Sequence, residues 1–548
     1  MKNVSSRITN FTASQFIKVV TILIFISCNG QTSNKQQQHP KAKTTHTDSL
    51  IIGNFNPASG IPLDSTRISG FVAGRPLFKE FTPDIYKFYS SNHYNYVWYD
   101  KKGLSELSNI LIGRLMKTDE DGITDTIPYK EDFLKLIHYN DTSGLKNDSA
   151  PDITTELMLT AQYFNYAKNI WGGKLNNQAE NLNWYLPRKK LSYPELLEKN
   201  LTAGAMTPDT NNIVIVQYRG LKDALQRYRD IEKQNAAVTI PSLKKPATLK
   251  LNDTSTTITL IRQQLTLYGY AGALPGGNKF DTALATAVNK FRVTHGLKKS
   301  AVIDNSLIKE MNVPVTKRIE QIIVNMERLR WIPADSISDE FILVNIPAFT
   351  LSYYEDKKIA WGCNVVVGTP MNKTVIFSGM MQYVVFSPYW YVPPSIIRKE
   401  ILPGMKRNSN YLANHRMEWN GGNVRQKPGK NNSLGLVKFL FPNANNIYLH
   451  DTPSKSLFGE DKRAFSHGCV RVSEPRQLAI RLLRYDSSWT PEKIDKAMNA
   501  GTEKYVTLKK KIPVYIGYFT CFMDANGMVN FRDDVYKRDD RLMEMLVK

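Results

Sequence analysis

Ala464-Phe465-Ser466-His467-Gly468-Cys469-Val470-Arg471-Val472 decides the fold of this chain, together with Ile447-Tyr448-Leu449-His450-Asp451-Thr452-Pro453 upstream of it. Ile447 to Leu449 is a short apolar run that should deliver His450 at a strand end. Gly468 can take backbone angles closed to other residues, allowing a sharp turn into Cys469. Val470 and Val472 continue apolar, with Arg471 on the other side. A cysteine therefore sits on a tight turn with two histidines near it. A free thiol, with a pKa of about 8.5, is only slightly ionised at neutral pH. A nearby imidazole can take the proton and later return it to a leaving amine. Backbone N–H groups around a Gly-Cys turn can hold a developing oxyanion, each worth roughly 3–4 kcal/mol. Cys469 fits a nucleophile, and His450 or His467 its base. A zinc site drawn from His450, His467 and Cys469 lacks any CxxC or HExxH companion, so no metal and no cofactor is expected. The bland alternative is that Cys469 is a small buried hydrophobe.

Around this stretch, from about Phe341, the pattern is of strands: Phe341 to Val344, Asn364 to Val367 and Tyr383 to Phe386 are rich in β-branched and aromatic residues. Between Trp390 and Lys438 the sequence loosens, with Pro393-Pro394 and Gly421-Gly422, as in a lid or binding loop. Ile512 to Phe519 reads as a strand, and Met528 to Phe531 as its partner across an Asn526-Gly527 turn. Upstream, Thr248 to Val313 reads as a compact helical unit. Ile258, Ile261, Leu265 and Tyr268 mark one helix face, Asp281 caps a second helix ended near Gly296, and Asp304 or Asn305 caps a third. Phe81 to Asn235 looks mostly helical, with Gly113 and Asp121-Gly122 as interruptions. Tyr94, Tyr96, Trp98 and Tyr99 suit core packing better than a sugar-stacking platform.

The first residues read as an export signal: Lys2, Arg7 and Lys18, then the apolar stretch Val19 to Ile26, then Ser27 before Cys28. Asn29 to Ser49 is polar and tether-like. The 548 residues are too many for one ordinary core. A hydrophobic share of 42% excludes wholesale disorder. No apolar run reaches the roughly 18–20 residues of a spanning helix, which excludes a polytopic membrane protein. The net charge of +22 favours polyanionic partners. Export turns that preference from nucleic acid toward anionic lipid and a carboxylate-rich wall. Four cysteines exclude a disulfide scaffold, and whether Cys363 and Cys521 pair stays open.

His450 nineteen positions before Cys469, inside Ser466-His467-Gly468-Cys469-Val470-Arg471, resembles the L,D-transpeptidase (YkuD-type) catalytic domain. Val365-Val366-Val367-Gly368 extends the likeness, and Tyr448 to Pro453 resembles the large Gram-negative subgroup. Ile261, Leu265, Gly269-Tyr270, Phe280, Thr282, Ala287-Val288, Phe291 and Gly296-Leu297 resemble a small peptidoglycan-binding domain. Ser27-Cys28 resembles a lipoprotein signal, with Cys28 as the lipid attachment site.

The resemblance implies a multidomain α+β chain. Its parts are a signal at 1–28, a flexible linker at 29–75, a helical scaffold domain at 76–240 and a three-helix peptidoglycan-binding-like domain at 246–313. A mostly β catalytic domain follows at 339–540, with a lid insertion at about 390–438. Cys469 would attack the third-residue carbonyl of a tetrapeptide stem and release D-alanine. The diamino acid of a second stem would then accept the acyl group in a 3→3 cross-link. His450 would be the base, its ring held by a backbone carbonyl. His467, Gly468 and Ser466 would support the site, with Gly468 and Cys469 N–H groups as the oxyanion hole. Arg471 and Tyr448 would bind substrate, or Arg471 would hold the turn by an ion pair; Trp390, with Tyr389 and Tyr391, would line the substrate groove or pack in the core or lid. Partners would be stem peptides and, through the lipid, a membrane, with no nucleic acid. The location would be the periplasm of a Gram-negative envelope. Two alternatives stand: a wall carboxypeptidase or cysteine peptidase with water as acceptor, and a non-catalytic wall anchor.

Overall fold

The computed structural model describes residues 60–547, apart from 101, 124–126, 139–149, 207–212, 246, 271, 273–275 and 335–336. The signal segment with Cys28 and most of the expected linker lie outside the described residues. The linker ends earlier than 75, because Ile68, Phe71 and Val72 of the helix Arg67–Ala73 are buried. Their three- and four-residue spacing gives that helix one apolar face.

A helical core runs from Leu63 to Met206. Its central helix, Ile153–Tyr166, is buried on nearly every side. Asp152 caps it by accepting a hydrogen bond from Thr155 N at 2.7 Å. Glu156 is buried and accepts from the Val97 and Trp98 amides at 2.8 and 3.1 Å and from the Tyr89 hydroxyl at 2.9 Å. Burial outweighs these bonds and raises its pKa to about 7. Tyr96, Trp98 and Tyr99 are buried, as core residues should be. Gly113 does not interrupt its helix, which runs from Glu106 to Leu115.

The expected scaffold boundary at 240 does not follow the cores. Helix Ile213–Lys233 sends Leu221, Leu225 and Tyr228 into a second, larger core. That core also contains the three-helix unit and the β-structure that follows. In the three-helix unit Asp281 caps helix Thr282–Thr294, accepting from Leu284 N at 2.8 Å, and Asp304 caps Asn305–Met311. His295 stacks on Phe291 with ring centroids 3.8 Å apart and faces Phe531 of the C-terminal hairpin at 5.3 Å. Helix Val315–Arg330 then connects the parts: Asn325 Nδ2 donates to Thr520 Oγ1 at 2.7 Å, and Glu327 accepts from Leu175 N at 2.7 Å.

Eight strands close into a ring. In spatial order they are Val437–Leu440, Leu449–His450, Val470–Val472, Lys358–Gly368, Thr350–Glu355, Phe341–Asn345, Lys504–Gly517 and Ile376–Phe386, which pairs back to Val437–Leu440. Val365, Val366 and Val367 are all fully buried, so their apolar run does not alternate. A strand from the scaffold region, Trp184–Tyr185, pairs parallel to Ile376–Phe377. Nothing in the helical sequence around it announced that strand.

The segment expected to be loose is folded. Trp390–Tyr391, Asn423–Gln426 and Met417–Asn420 form a three-stranded sheet over Val392, Ile396, Ile397 and Ile401. The insertion ends before 437, since Val437 and Phe439 belong to the ring and are fully buried. The C-terminal hairpin also differs from expectation. Val529–Phe531 pairs with Cys521–Met523, while Lys504–Gly517 is a ring strand. Cys363 and Cys521 are buried free thiols.

Trp331 joins the scaffold region to the ring. It is buried, meets Trp184 at 5.3 Å edge to face, and donates its indole N–H to Glu327 at 3.0 Å. Trp331→Ala should cost about 3–5 kcal/mol of stability, read as a lowered urea midpoint. A loss below about 1 kcal/mol would show that this contact does not couple the two regions.

Candidate active site

Strand register places the chemistry. Leu449–His450 runs parallel to Val470–Val472, with Leu449 opposite Val470 and His450 opposite Arg471. One residue earlier, Tyr448 lies beside Cys469, and the Val470 amide donates to Tyr448 O at 3.2 Å. Because strand side chains alternate, Tyr448, His450, Cys469 and Arg471 share one face. Tyr448 and His450 have ring centroids 5.7 Å apart. Cys469 and His450 are diagonal neighbours on that face, the separation that long side chains can span.

His450 is buried, and its Nδ1 lies 2.5 Å from Asp451 O. A carbonyl can only accept, so Nδ1 carries the proton and Nε2 keeps its lone pair. Burial first, and then the charges of Arg471, Lys438 and Lys455, lower the His450 pKa to about 3 against the opposing pull of the Asp451 bond. The ring is therefore neutral at physiological pH. Lys438 stands opposite His450 on the other neighbouring strand and lies 3.6 Å from Glu503. Asp451 is held in turn: its carboxylate accepts from the amides of Leu436 at 2.8 Å and Thr452 at 2.7 Å, and pairs with Lys455.

Cys469 is half-buried, with Sγ 3.8 Å from Asn446 O. Burial pushes its thiol pKa up, while hydrogen bonds from the Tyr448 backbone and hydroxyl, and the Arg471 charge, pull it down. The Tyr448 hydroxyl is raised in turn, by burial first and by the facing sulfur next. A protonated thiol beside a neutral imidazole is the resting pair.

The turn is built from side chains that bond backbone. Gly468 has φ +121°, open only to glycine at low cost. Ser466 Oγ donates to Cys469 O at 2.6 Å and accepts from Gly468 N at 3.1 Å. Thr374 Oγ1 donates to Gly468 O at 2.8 Å and accepts from Gly368 N at 2.9 Å. Tyr536 donates its hydroxyl to Gly368 O at 2.7 Å and accepts from Thr374 N at 3.1 Å. Gly368 is needed because a Cβ there would sit 2.0 Å from Asn372 O.

Two expected placements change. Gly468 N–H is occupied by Ser466, so it does not point free into an oxyanion site. The Cys469 N–H has no partner among the described residues. His467 is exposed and its Nε2 lies 3.3 Å from a Glu400 carboxylate oxygen of the insertion. Trp390 is half-buried and packs against the insertion's own core, the lid placement that its sequence context left open. Arg471 makes no ion pair among the described residues, and its buried Nε has no hydrogen-bond partner. Its charge therefore acts on His450 and Cys469 instead of tying down the turn. Asp451, Thr374, Tyr536 and Lys438 were not singled out. Asp451 follows His450 directly and could have been suspected. Thr374 lies 94 residues from its partner Gly468, and no local pattern marks it. Among the described residues no group of three His, Cys, Asp or Glu side chains is arranged to hold a metal ion.

The L,D-transpeptidase catalytic domain family matches residues 339–515, and the Scaffold domain family matches residues 83–225. A curated L,D-transpeptidase relative from Haemophilus influenzae is 32% identical over 256 residues, covering 42% of this chain. The chain spans about half, 51%, of that relative's length. Among solved structures, an L,D-transpeptidase from Xylanimonas cellulosilytica is 15% identical, with 50% of this chain and 100% of that one covered and a TM-score of 0.17. One from Stackebrandtia nassauensis is 14% identical, with 50% and 98% covered and a TM-score of 0.20. Overlaps that low carry no weight here; the two family matches and the curated relative do. The ring of strands that holds His450 and Cys469 is a YkuD-type L,D-transpeptidase catalytic domain, and the chain carries it together with a scaffold domain.

Proposed function

We propose that this chain is a peptidoglycan L,D-transpeptidase that forms 3→3 cross-links through a Cys469 acyl-enzyme. One observation carries the proposal: a neutral imidazole, its Nδ1–H fixed on Asp451 O, shares a sheet face with Cys469. In the first half-reaction Nε2 of His450 takes the thiol proton as sulfur attacks the third-residue carbonyl of a tetrapeptide stem. The Cys469 amide, and the Tyr448 hydroxyl turned toward the sulfur, are the donors nearest the developing oxyanion. Collapse breaks the bond to D-alanine, whose nitrogen takes the proton from His450. In the second half-reaction an amine of another stem attacks the thioester and the thiol is restored.

Arg471 adds positive potential to this face and suits a stem carboxylate. The three-helix unit suits glycan binding, and its core continuity with the catalytic ring would hold the site near the wall. Cys28 is proposed as the lipid attachment point that keeps the exported protein at a membrane facing the periplasm. Water as acceptor would make the same acyl-enzyme a carboxypeptidase. Purified tetrapeptide muropeptides separate the two: mass spectrometry should show cross-linked dimers, whereas tripeptides alone would overturn transfer.

Cys469→Ala should abolish D-alanine release, and release at the wild-type rate would place the nucleophile elsewhere. The pH dependence follows from the His450 shift. Lowering its pKa to about 3 keeps the base unprotonated, so acylation should show no acid limb between about pH 5 and 7. A half-maximal fall near pH 6.5, the ordinary histidine value of about 6.5, would contradict a neutral buried base. Cys28→Ser should move the protein from the membrane to the soluble fraction, and unchanged membrane retention would reject the anchor.

A further inference from the structure

A cleft of about 600 Å³ lies where the scaffold strand Trp184–Tyr185 meets the catalytic ring and the C-terminal segment. That volume is in the range of a ligand site. Its lining includes Lys373, Lys537, Arg538, Arg541 and Arg328, and no carboxylate. Arg328 is neutralised by Asp539 at 2.8 Å. Lys373 donates to Tyr536 O at 3.2 Å and Arg538 to Leu182 O at 2.8 Å, so both keep their full charge. Lys537 and Arg541 are exposed and make no ion pair among the described residues. Four cations thus face one cavity without an acidic partner in its wall.

The cleft also meets the catalytic turn. Thr374 lines it and donates to Gly468 O at 2.8 Å. Asn445 lines it too, next to Asn446, whose carbonyl lies 3.8 Å from Cys469 Sγ. The insertion touches the same turn through a different residue, His467, at Glu400. The insertion and this cleft therefore each reach the turn that carries Cys469, from different residues of it, and a transfer reaction needs two substrates there.

We propose that the cleft is the acceptor subsite: it binds the carboxylate-bearing stem peptide whose amine takes the acyl group. This rests on the transpeptidase function proposed above. Carboxylates of the stem pair with Lys373, Lys537, Arg538 and Arg541, while Trp184 and Tyr185 give its carbon chain an apolar wall. The same cations disfavour an ammonium, so the incoming amine is held toward its neutral, nucleophilic form. Its nitrogen bonds to the thioester carbon and the carbon–Sγ bond breaks. One amine proton passes to Nε2 of His450 and from there to the departing sulfur. Water carries no carboxylate and gains nothing from the cleft, which favours transfer over hydrolysis.

The test separates donor from acceptor. The donor is a tetrapeptide stem with its side-chain amine acetylated, so that it cannot accept. The acceptor is an unmodified tripeptide stem. The Lys537→Glu, Arg541→Glu double variant should need about tenfold more acceptor for half-maximal dimer formation, with the rate at saturation little changed. The Lys537→Arg, Arg541→Lys variant should keep the wild-type acceptor dependence. D-alanine release from donor alone, followed in parallel, reports whether each variant is folded and acylates. Acylating variants with wild-type acceptor dependence would overturn the subsite. Wild-type protein that releases no D-alanine would overturn the transpeptidase function, and the subsite with it.

Discussion

The hydrogen bond from His450 Nδ1 to Asp451 O sets the chemistry of the whole chain. It decides which ring nitrogen is basic, and it does so with an uncharged acceptor. A carboxylate in that position would raise the imidazole pKa and stabilise its cation. The carbonyl leaves burial and the surrounding cations Arg471, Lys438 and Lys455 in control, and all of them favour the neutral ring. The bond depends on Asp451 staying still. Leu436 N, Thr452 N and Lys455 secure its side chain, so a carboxylate does act at this site, one step removed from the imidazole.

The second half of the device is the turn that presents the thiol. Three side chains, Ser466, Thr374 and Tyr448, address its backbone or its sulfur, and Tyr536 holds Thr374 in place by accepting from its amide. Buried side-chain bonds of this type position groups more tightly than backbone turns alone. Tyr536 lies beyond the last ring strand, close to the C-terminal helix Asp539–Leu546. Trp184–Tyr185 adds a scaffold strand to the ring strand Ile376–Phe386, two residues after Thr374. The catalytic turn is thereby continuous with the rest of the described chain, and the larger core does not break at the expected domain borders.

Much of this was legible in sequence because it is local. His450 at a strand end, the glycine turn before Cys469, the Asp281 and Asp304 caps and the aromatic core around Trp98 all follow from neighbouring residue types. The failures share a cause. Whether Gly468 N–H is free depends on a Ser466 rotamer, and where His467 points depends on Glu400, 67 positions away. For Trp390 the sequence left groove and lid packing open, because the insertion core of Val392, Ile396 and Ile401 that it packs against forms only in the fold. The polar character of the segment near Arg67 hid Ile68, Phe71 and Val72, whose face becomes visible only against its partners. Long-range pairing, such as Thr374 with Gly468, leaves no trace in one sequence.

The central claim concerns the protonation of one ring, and nitrogen NMR observes that directly. In protein labelled with ¹⁵N-histidine, the His450 signals can be assigned by their loss in His450→Gln. At about pH 6 they should show a protonated Nδ1 and an unprotonated Nε2, unchanged on acidifying to about pH 5. An imidazolium signal at about pH 6, or a neutral ring with its proton on Nε2, would contradict the assignment of His450 as the base poised for Cys469.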